Sequence, residues 1–128
     1  MRFVIKVCLA LLLVGTAMSL PAPDAPPATW FFHSSGSASF YGSGFHGRLM
    51  ANGKRFSRFA MTCAHKTLPL GTVLEVVNPR NHRSVIVTVT DRGPYAKHRI
   101  LDLSEAAARE IGITTQGHGP VWIFTKEA

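Results

Sequence analysis

The clearest strand pattern in the chain is the β-branched run Val85–Val89. Residues of this type fit the pleated, half-buried surface of a sheet, so the run predicts a strand over Ser84–Thr90. The pattern ends at Asp91–Pro94, because glycine and proline disfavour a continuing strand. The predicted strand therefore delivers one carboxylate, that of Asp91, to a sharp turn.

The remaining pattern predicts five more strands and one helix. The helix begins after Ser104, a favoured N-cap, and ends at Ile111 because Gly112 follows it. Thr72–Asn78 and Ser84–Thr90 are expected to form a hairpin. This inventory of short strands favours a mainly β, closed barrel over a layered α/β fold. The other predicted strands and apolar runs are Ser37–Tyr41, Ala60–Ala64, Arg99–Leu103 and Pro120–Thr125.

A long irregular segment separates the first two of these strands. It contains the glycine-rich run Gly42–Arg48 and the turn signal Asn52–Gly53, followed by the basic and aromatic run Arg55–Phe59. Glycines that favour unusual backbone angles exclude a regular element here. A loop of this length in a small domain commonly forms the wall of a binding site.

The N-terminus has the pattern of an export signal. Arg2 and Lys6 precede an apolar run, Val7–Val14, and the small residues around Ala17–Ser19 suit cleavage. The run is too short for a permanent membrane span, and Cys8 lies at its front, where a lipid anchor is not expected. We expect a signal peptide at 1–19, a flexible proline- and alanine-rich segment at 20–33 and a folded domain at 34–128, exported to the periplasm or secreted.

The charge of the processed chain is positive. Removal of Arg2 and Lys6 from the 14 basic residues leaves 12 against 7 acidic residues, a net charge of +5. A basic exported domain suits a polyanion such as cell-wall polymer, phospholipid or nucleic acid, although the charge also serves solubility alone. Of the two cysteines only Cys63 remains, so no internal disulfide is expected.

Three side chains could carry acid–base chemistry. Partial burial would make Asp91 a usable general acid, whereas the alternative is that it only caps its turn. His65 could orient a carboxylate or be satisfied by a backbone carbonyl. Asp102 points away from its neighbours Leu101 and Leu103, and it could be a second acid or could bond the first helical amides.

No cofactor is expected. The six histidines are scattered without ligand spacing, so we expect no metal site. No glycine-rich loop joins a strand to a helix, so a nucleotide cofactor has no support. Cys63 is interpreted as a small buried residue.

Five motifs in order resemble the RlpA-like family of bacterial cell-wall proteins. They span most of the predicted domain, from Ser37 to Ile123. The motifs are Ala38–Gly42, Phe45–Gly53, Ala64–Gly71, Asp91–Tyr95 and Arg99–Ser104.

This resemblance implies a six-stranded double-psi β-barrel with one or two short helices and lytic transglycosylase activity on peptidoglycan. The family's catalytic aspartate and histidine fall on Asp91 and His65. A lytic transglycosylase uses the C6 hydroxyl of the sugar as nucleophile, so one residue can act first as acid and then as base. We expect peptidoglycan glycan strands as the partner, no nucleic acid, no membrane anchor and a monomer. The residues expected to bind substrate are Tyr41, Phe45, His46, Arg48, Asn52, Lys54, Arg92 and Tyr95.

One departure from the family pattern bears on activity. Lys54 stands where the family commonly has a glutamate. An ammonium group near Asp91 would favour the ionised carboxylate and oppose a general acid, unless Lys54 is solvated. The sequence therefore leaves two alternatives open: a non-catalytic glycan-binding barrel of the expansin type, and a hydrolase that uses Asp91 with Asp102.

Overall fold

The computed structural model describes residues 29–126. The expected signal peptide and residues 20–28 of the expected flexible segment lie outside this range. Among the described residues, no helix has the length and apolar character needed to span a bilayer.

Six strands close into a barrel, which confirms the predicted mainly β fold. The elements are β1 Phe31–Phe40, β2 Thr62–Ala64, β3 Val73–Asn78, β4 Arg83–Asp91, β5 Arg99–Leu103, α1 Glu105–Ile111 and β6 His118–Thr125. Around the barrel the order is β1-β5-β2-β4-β3-β6, and β1 pairs in parallel with β5, as β2 does with β4. In the chain, the helix α1 follows β5 and precedes β6, and a short 3-10 helix at Ser43–Phe45 follows β1.

The first strand is longer than predicted. It begins at Phe31, where Phe31 pairs with Thr125 and Phe32 with Phe124, so the domain boundary expected at residue 34 falls inside β1. The serines and glycine between Ser34 and Ser37 give no apolar alternation, and backbone pairing with β6 holds this part of the strand instead. The second strand is shorter than the apolar run at Ala60–Ala64, starting only at Thr62.

The core of the barrel follows the alternation along its strands. In β4, Val85, Val87 and Val89 point inward while Ile86 is exposed. Each fully buried aliphatic side chain of this kind contributes about 1.5–3 kcal/mol. The other large buried side chains of the core are Leu74, Val76, Leu101, Leu103, Ile111, Ile113, Val121 and Ile123.

The helix has the predicted caps. The Ser104 hydroxyl oxygen accepts the amide of Ala107 at 3.2 Å, and Gly112 ends the helix with φ 77°. Glu105 in the first turn forms ion pairs with Arg58 at 2.6 Å and with Arg109 at 3.0 Å. The first of these pairs ties the helix to the long segment that follows β1.

That segment, residues 41–61, is held against the barrel by a buried side chain and backbone hydrogen bonds. The side chain of Phe56 is buried, and its backbone carbonyl accepts the amide of Gly47 at 2.8 Å. The amide of Asn52 donates to the carbonyl of Thr90 at 3.2 Å, next to the end of β4. The segment therefore forms a wall beside Asp91.

Candidate active site

Asp91 lies at the last position of β4, and its carboxylate is held by three donors. The Tyr41 hydroxyl donates to Oδ2 at 2.6 Å. The amides of Ala51 and Arg92 donate to Oδ1 at 2.8 and 2.9 Å. Because a carboxylate has about four acceptor positions, one position remains for a proton or a ligand.

Tyr41 comes from the segment directly after β1. Its ring stacks on Phe45 with centroids 5.4 Å apart and meets Phe56 edge-on at 4.5 Å. Burial, then the hydrogen bond to Asp91 and the nearby carboxylate charges, raise the pKa of the Tyr41 phenol well above its usual value. The hydroxyl therefore stays protonated and donates to Asp91 at any physiological pH.

An open cleft of about 620 Å³ surrounds this carboxylate. It brings together five of the eight residues predicted to bind substrate, which are Tyr41, Phe45, Arg48, Arg92 and Tyr95. Its other lining residues include Ser39, Phe40, Leu49, Met50, Phe56, Arg99 and Asp102.

The cationic and aromatic side chains of the cleft differ in how far they are already engaged in contacts within the protein. The Arg48 guanidinium lies 5.3 Å from the centroid of the Phe45 ring, and Tyr95 is 83% exposed. Arg92 instead uses Nη1 to donate to the carbonyls of His65 at 3.1 Å and Leu68 at 2.7 Å. Arg48, Phe45 and Tyr95 are thus available to a ligand, while Arg92 also supports the neighbouring turn.

The other three predicted binding residues do not line the cleft. His46 accepts the amide of Arg58 at 3.2 Å, and Asn52 accepts the amide of Lys54 at 2.9 Å. Lys54 is exposed. The ion pairs among residues 29–126 are those of Glu105, so the structure gives no pair between Lys54 and Asp91.

The Asp102 carboxylate faces the same cleft as that of Asp91. Its Oδ1 accepts a hydrogen bond from the hydroxyl of Ser39 across the parallel pairing of β1 with β5. The interpretation that Asp102 bonds the first helical amides is wrong, because Ser104 fills that position. Ser39 was not predicted as a site residue. The one indication in the sequence is the alternation along the strand, which places Ser39 on the opposite face from Ala38 and Phe40.

Cys63 is buried in the core of the barrel, with 1% of its surface exposed. Burial, and to a lesser extent the charge of Asp102, raise the pKa of the thiol to about 12. A thiol in this setting is not a nucleophile near neutral pH.

The His65 ring serves the turn after β2. Its Nδ1 accepts the amides of Thr67 at 3.1 Å and Leu68 at 3.0 Å, and its ring packs edge-on against His33 at 5.9 Å. The ring does not line the cleft, and its residue reaches Asp91 through the backbone, where the His65 amide donates to the Asp91 carbonyl at 3.2 Å. The hydroxyl of Tyr41 occupies the place beside the carboxylate that was expected for this imidazole.

Comparison with known proteins agrees with this architecture. Residues 33–123 match the model of a family described as lytic transglycolase. The chain belongs to the RlpA-like lytic transglycosylase family. A probable endolytic peptidoglycan transglycosylase RlpA of Synechocystis sp. is 56% identical over 86 residues, which are 67% of this chain and 27% of the relative. The endolytic peptidoglycan transglycosylase RlpA of Campylobacter jejuni is 49% identical over 88 residues, 69% of this chain and 32% of the relative.

Solved structures place the RlpA-like chain among double-psi β-barrels. A Streptomyces papain inhibitor covers 80% of the chain and 99% of its own length with a TM-score of 0.56 at 24% identity, which shows the fold alone. An expansin of Clavibacter michiganensis covers 71% of the chain and 48% of its own length, with a TM-score of 0.55 at 28% identity. A mutant of that expansin has been solved in complex with cellohexaose, with a TM-score of 0.55 at 27% identity.

No cluster of three or more histidine, cysteine or acidic side chains is placed to hold a metal ion within the described range of this RlpA-like domain. The carboxyl groups that line the cleft are those of Asp91 and Asp102, and the Tyr41 hydroxyl donates to the first of them.

The setting of His65 predicts a pH-dependent stability. Burial and the positive charges of His33, Arg92 and Lys66 lower the pKa of His65. The unfolded chain then binds more protons, so the contribution of His65 is complete above its unfolded pKa of about 6.5 and is lost as the pH falls. We expect a lower free energy of urea unfolding at pH 5.0 than at pH 7.5, with the share of His65 bounded by the one-proton limit of about 1.4 kcal/mol per pH unit.

Variants isolate that contribution. His65→Asn keeps an acceptor for the amides of Thr67 and Leu68 but does not titrate, so its stability should vary less with pH. His82→Asn is the matched control, because His82 is exposed and its φ of 63° suits asparagine. An unchanged pH slope in His65→Asn would contradict the assignment.

Proposed function

We propose that the chain is an exported lytic transglycosylase that cleaves the β-1,4 bond between MurNAc and GlcNAc in peptidoglycan and leaves 1,6-anhydro-MurNAc ends. The observation that carries the proposal is the carboxylate of Asp91, held by Tyr41 and two amides in an open cleft. The names of the relatives support the reaction, although the chain spans only 27–32% of the length of the two described above.

One carboxyl group suffices for both proton transfers. Protonated Asp91 donates its proton to the glycosidic oxygen as the bond from C1 of MurNAc breaks. The C6 hydroxyl of the same sugar attacks C1, and its proton returns to Asp91 as the 1,6-anhydro ring forms. No water is consumed, and the acid ends the cycle in its starting form.

Tyr41 and Asp102 support the charges that develop in this sequence. When Asp91 gives up its proton, the Tyr41 hydroxyl stabilises the new carboxylate, because hydrogen bonds to a charged acceptor are the stronger ones. The Asp102 carboxylate faces the same cleft and can offset positive charge that develops at C1 as the bond breaks.

The wall of the cleft suits an amino-sugar chain. Phe45 and Tyr95 offer exposed rings to pyranose faces, and the guanidinium of Arg48 can bind the carboxylates of the glycan or its stem peptides. His65 is assigned a positioning role, in which its ring and Arg92 fix the turn beside the end of β4. Lys54, His46 and Asn52 remain proposed contacts for longer or anionic parts of the substrate.

The decisive experiment is digestion of purified sacculi and of glycan strands without peptides, with products analysed by mass spectrometry. Muropeptides ending in 1,6-anhydro-MurNAc are expected. Products heavier by one water would instead indicate a hydrolase that pairs Asp91 with Asp102, since both carboxylates face the cleft. Either hydrolytic products or no products would overturn the proposed reaction.

The second candidate function is a non-catalytic, glycan-binding barrel of the expansin type. The similarity to an expansin solved with cellohexaose favours it, as does Lys54 in the place of the family's usual glutamate. It predicts that the protein sediments with sacculi and yields no products in the same digestion.

Export and assembly form a further part of the proposal. The N-terminal pattern supports cleavage near Ser19 and release to the periplasm or medium without a lipid anchor. The released chain is proposed to be a monomer. Intact-mass measurement of the exported chain and sedimentation equilibrium check these points.

A further inference from the structure

A second cavity lies on the outer face of the barrel, away from Asp91. Its volume is about 440 Å³. The cavity is open, and most of the side chains that line it are polar, basic or aromatic. Its lining residues are Ser35, Gly36, Ser37, Arg80, His118, Gly119, Pro120, Val121 and Trp122.

The cavity follows from the pairing of β1 with β6. Ser35 pairs with Trp122 and Ser37 with Pro120, and paired residues of an antiparallel ladder lie on the same face. On either side of Trp122 in β6, Val121 and Ile123 point into the core, so Trp122 points outward. Two hydroxyl groups therefore lie beside a tryptophan ring.

Trp122 is the main reason to expect a ligand here. It is 44% exposed, although burial of such a large side chain would stabilise the fold. A tryptophan beside serine hydroxyls suits a ligand with alternating apolar faces and hydroxyl groups. The exposed guanidinium of Arg80 adds a site for a carboxylate. Sugars that carry acidic substituents have this combination.

The cavity and the cleft around Asp91 are neighbours along the same ladder. Ser39 pairs with His118, and Ser39 lines the cleft while His118 lines the cavity. At about 3.3 Å per residue, the path from Ser39 to Ser35 is about 13 Å. That length exceeds one pyranose ring, so a chain of several sugars is needed to reach from the Ser39 edge of the cleft to Trp122.

We propose that the outer face of β1 and β6 is a distal subsite for the same glycan strand, with Trp122 as its stacking platform and Arg80 as its anion contact. This inference rests on the proposed function for the identity of the polymer. The site makes binding depend on chain length, because a short oligosaccharide occupies the cleft without reaching Trp122.

The probes are β-1,4-linked N-acetylglucosamine disaccharide and octasaccharide, measured by calorimetry on an Asp91→Asn background that prevents turnover. Trp122→Ala should weaken octasaccharide binding by about tenfold, as truncation of a central aromatic anchor commonly does, and leave disaccharide binding unchanged. Ile86→Ala is the matched control, because Ile86 is 55% exposed on β4 and lies outside the cavity.

Fluorescence gives a second readout that does not depend on a truncation. The chain has two tryptophans, so Trp30→Phe leaves Trp122 as the only indole. Saturating octasaccharide should shift the emission of Trp122, whereas saturating disaccharide should not. Unchanged emission with octasaccharide, or equal octasaccharide affinity of Trp122→Ala and Ile86→Ala, would overturn the subsite.

Three outcomes separate this inference from its alternatives. Absence of anhydro products with intact length-dependent binding would overturn the proposed reaction and leave the subsite standing. Anhydro products with the same KM on long glycan in Trp122→Ala and the parent would overturn the subsite alone. If Trp122→Ala converts a dimer to a monomer in sedimentation and binds octasaccharide normally, the face is a contact between two copies, and the subsite is wrong.

Discussion

Asp91→Asn is expected to abolish the formation of 1,6-anhydro ends, with a rate loss of about 10²–10⁴. An asparagine keeps the shape of the side chain and can still accept the amides of Ala51 and Arg92. It cannot deliver a proton to the glycosidic oxygen or take one from the C6 hydroxyl. The measurement is release of anhydro-muropeptides from sacculi over time, quantified by mass spectrometry.

Glu110→Gln is the matched control, since it makes the same change of charge on the exposed face of α1. Both variants should unfold at urea midpoints close to that of the parent, so that a loss of rate does not reflect unfolding. Anhydro products from Asp91→Asn at more than a tenth of the parent rate would contradict the assignment of Asp91 as the acid.

Tyr41→Phe is expected to lower kcat by about ten- to a hundredfold with little change in KM. The variant removes one hydroxyl and keeps the ring contacts with Phe45 and Phe56. A hydrogen bond to a charged group contributes about 1.5–3 kcal/mol, and the bond to Asp91 gains this strength when the carboxylate is formed. Steady-state kinetics on soluble glycan strands separate the two constants.

Thr72→Val controls for the loss of a bonded hydroxyl elsewhere. Thr72 donates to the carbonyl of Pro69 at 2.7 Å and does not line the cleft, so its removal should leave kcat unchanged. A raised KM with normal kcat in Tyr41→Phe would show that Tyr41 binds the substrate and does not assist Asp91.

The strand β4 and the helix α1 could be predicted from the residues that form them. The β-branched run indicates β4, and the caps Ser104 and Gly112 indicate the two ends of α1; the structure confirms both elements. The start of β1 at Phe31 was missed because serines and glycine in the middle of the strand carry no apolar alternation. Its stability comes from pairing with β6, at the far end of the chain.

The contents of the cleft depended on contacts that no local pattern records. Tyr41 and Asp91 are 50 residues apart, and their bond requires the strand order β1-β5-β2-β4 within the closed barrel. The pairing of β1 with β5 also joins Ser39 to Asp102. Strand parity indicated that Asp102 faces away from Leu101, but it did not indicate its partner. The family resemblance indicated Asp91 and His65 as site residues. Only the structure shows that the amides of Thr67 and Leu68 donate to Nδ1 of His65.

Two backbone amides bind the Asp91 carboxylate, so these contacts do not depend on which side chains surround it. Ala51 and Arg92 donate through the backbone, so side-chain exchanges in this wall leave those two bonds in place. Lys54 can differ from the family's usual residue without altering them. Under the proposed function, natural variation along residues 42–61 can therefore change which glycan is recognised, while the two backbone bonds to Asp91 are inherited with the course of the main chain.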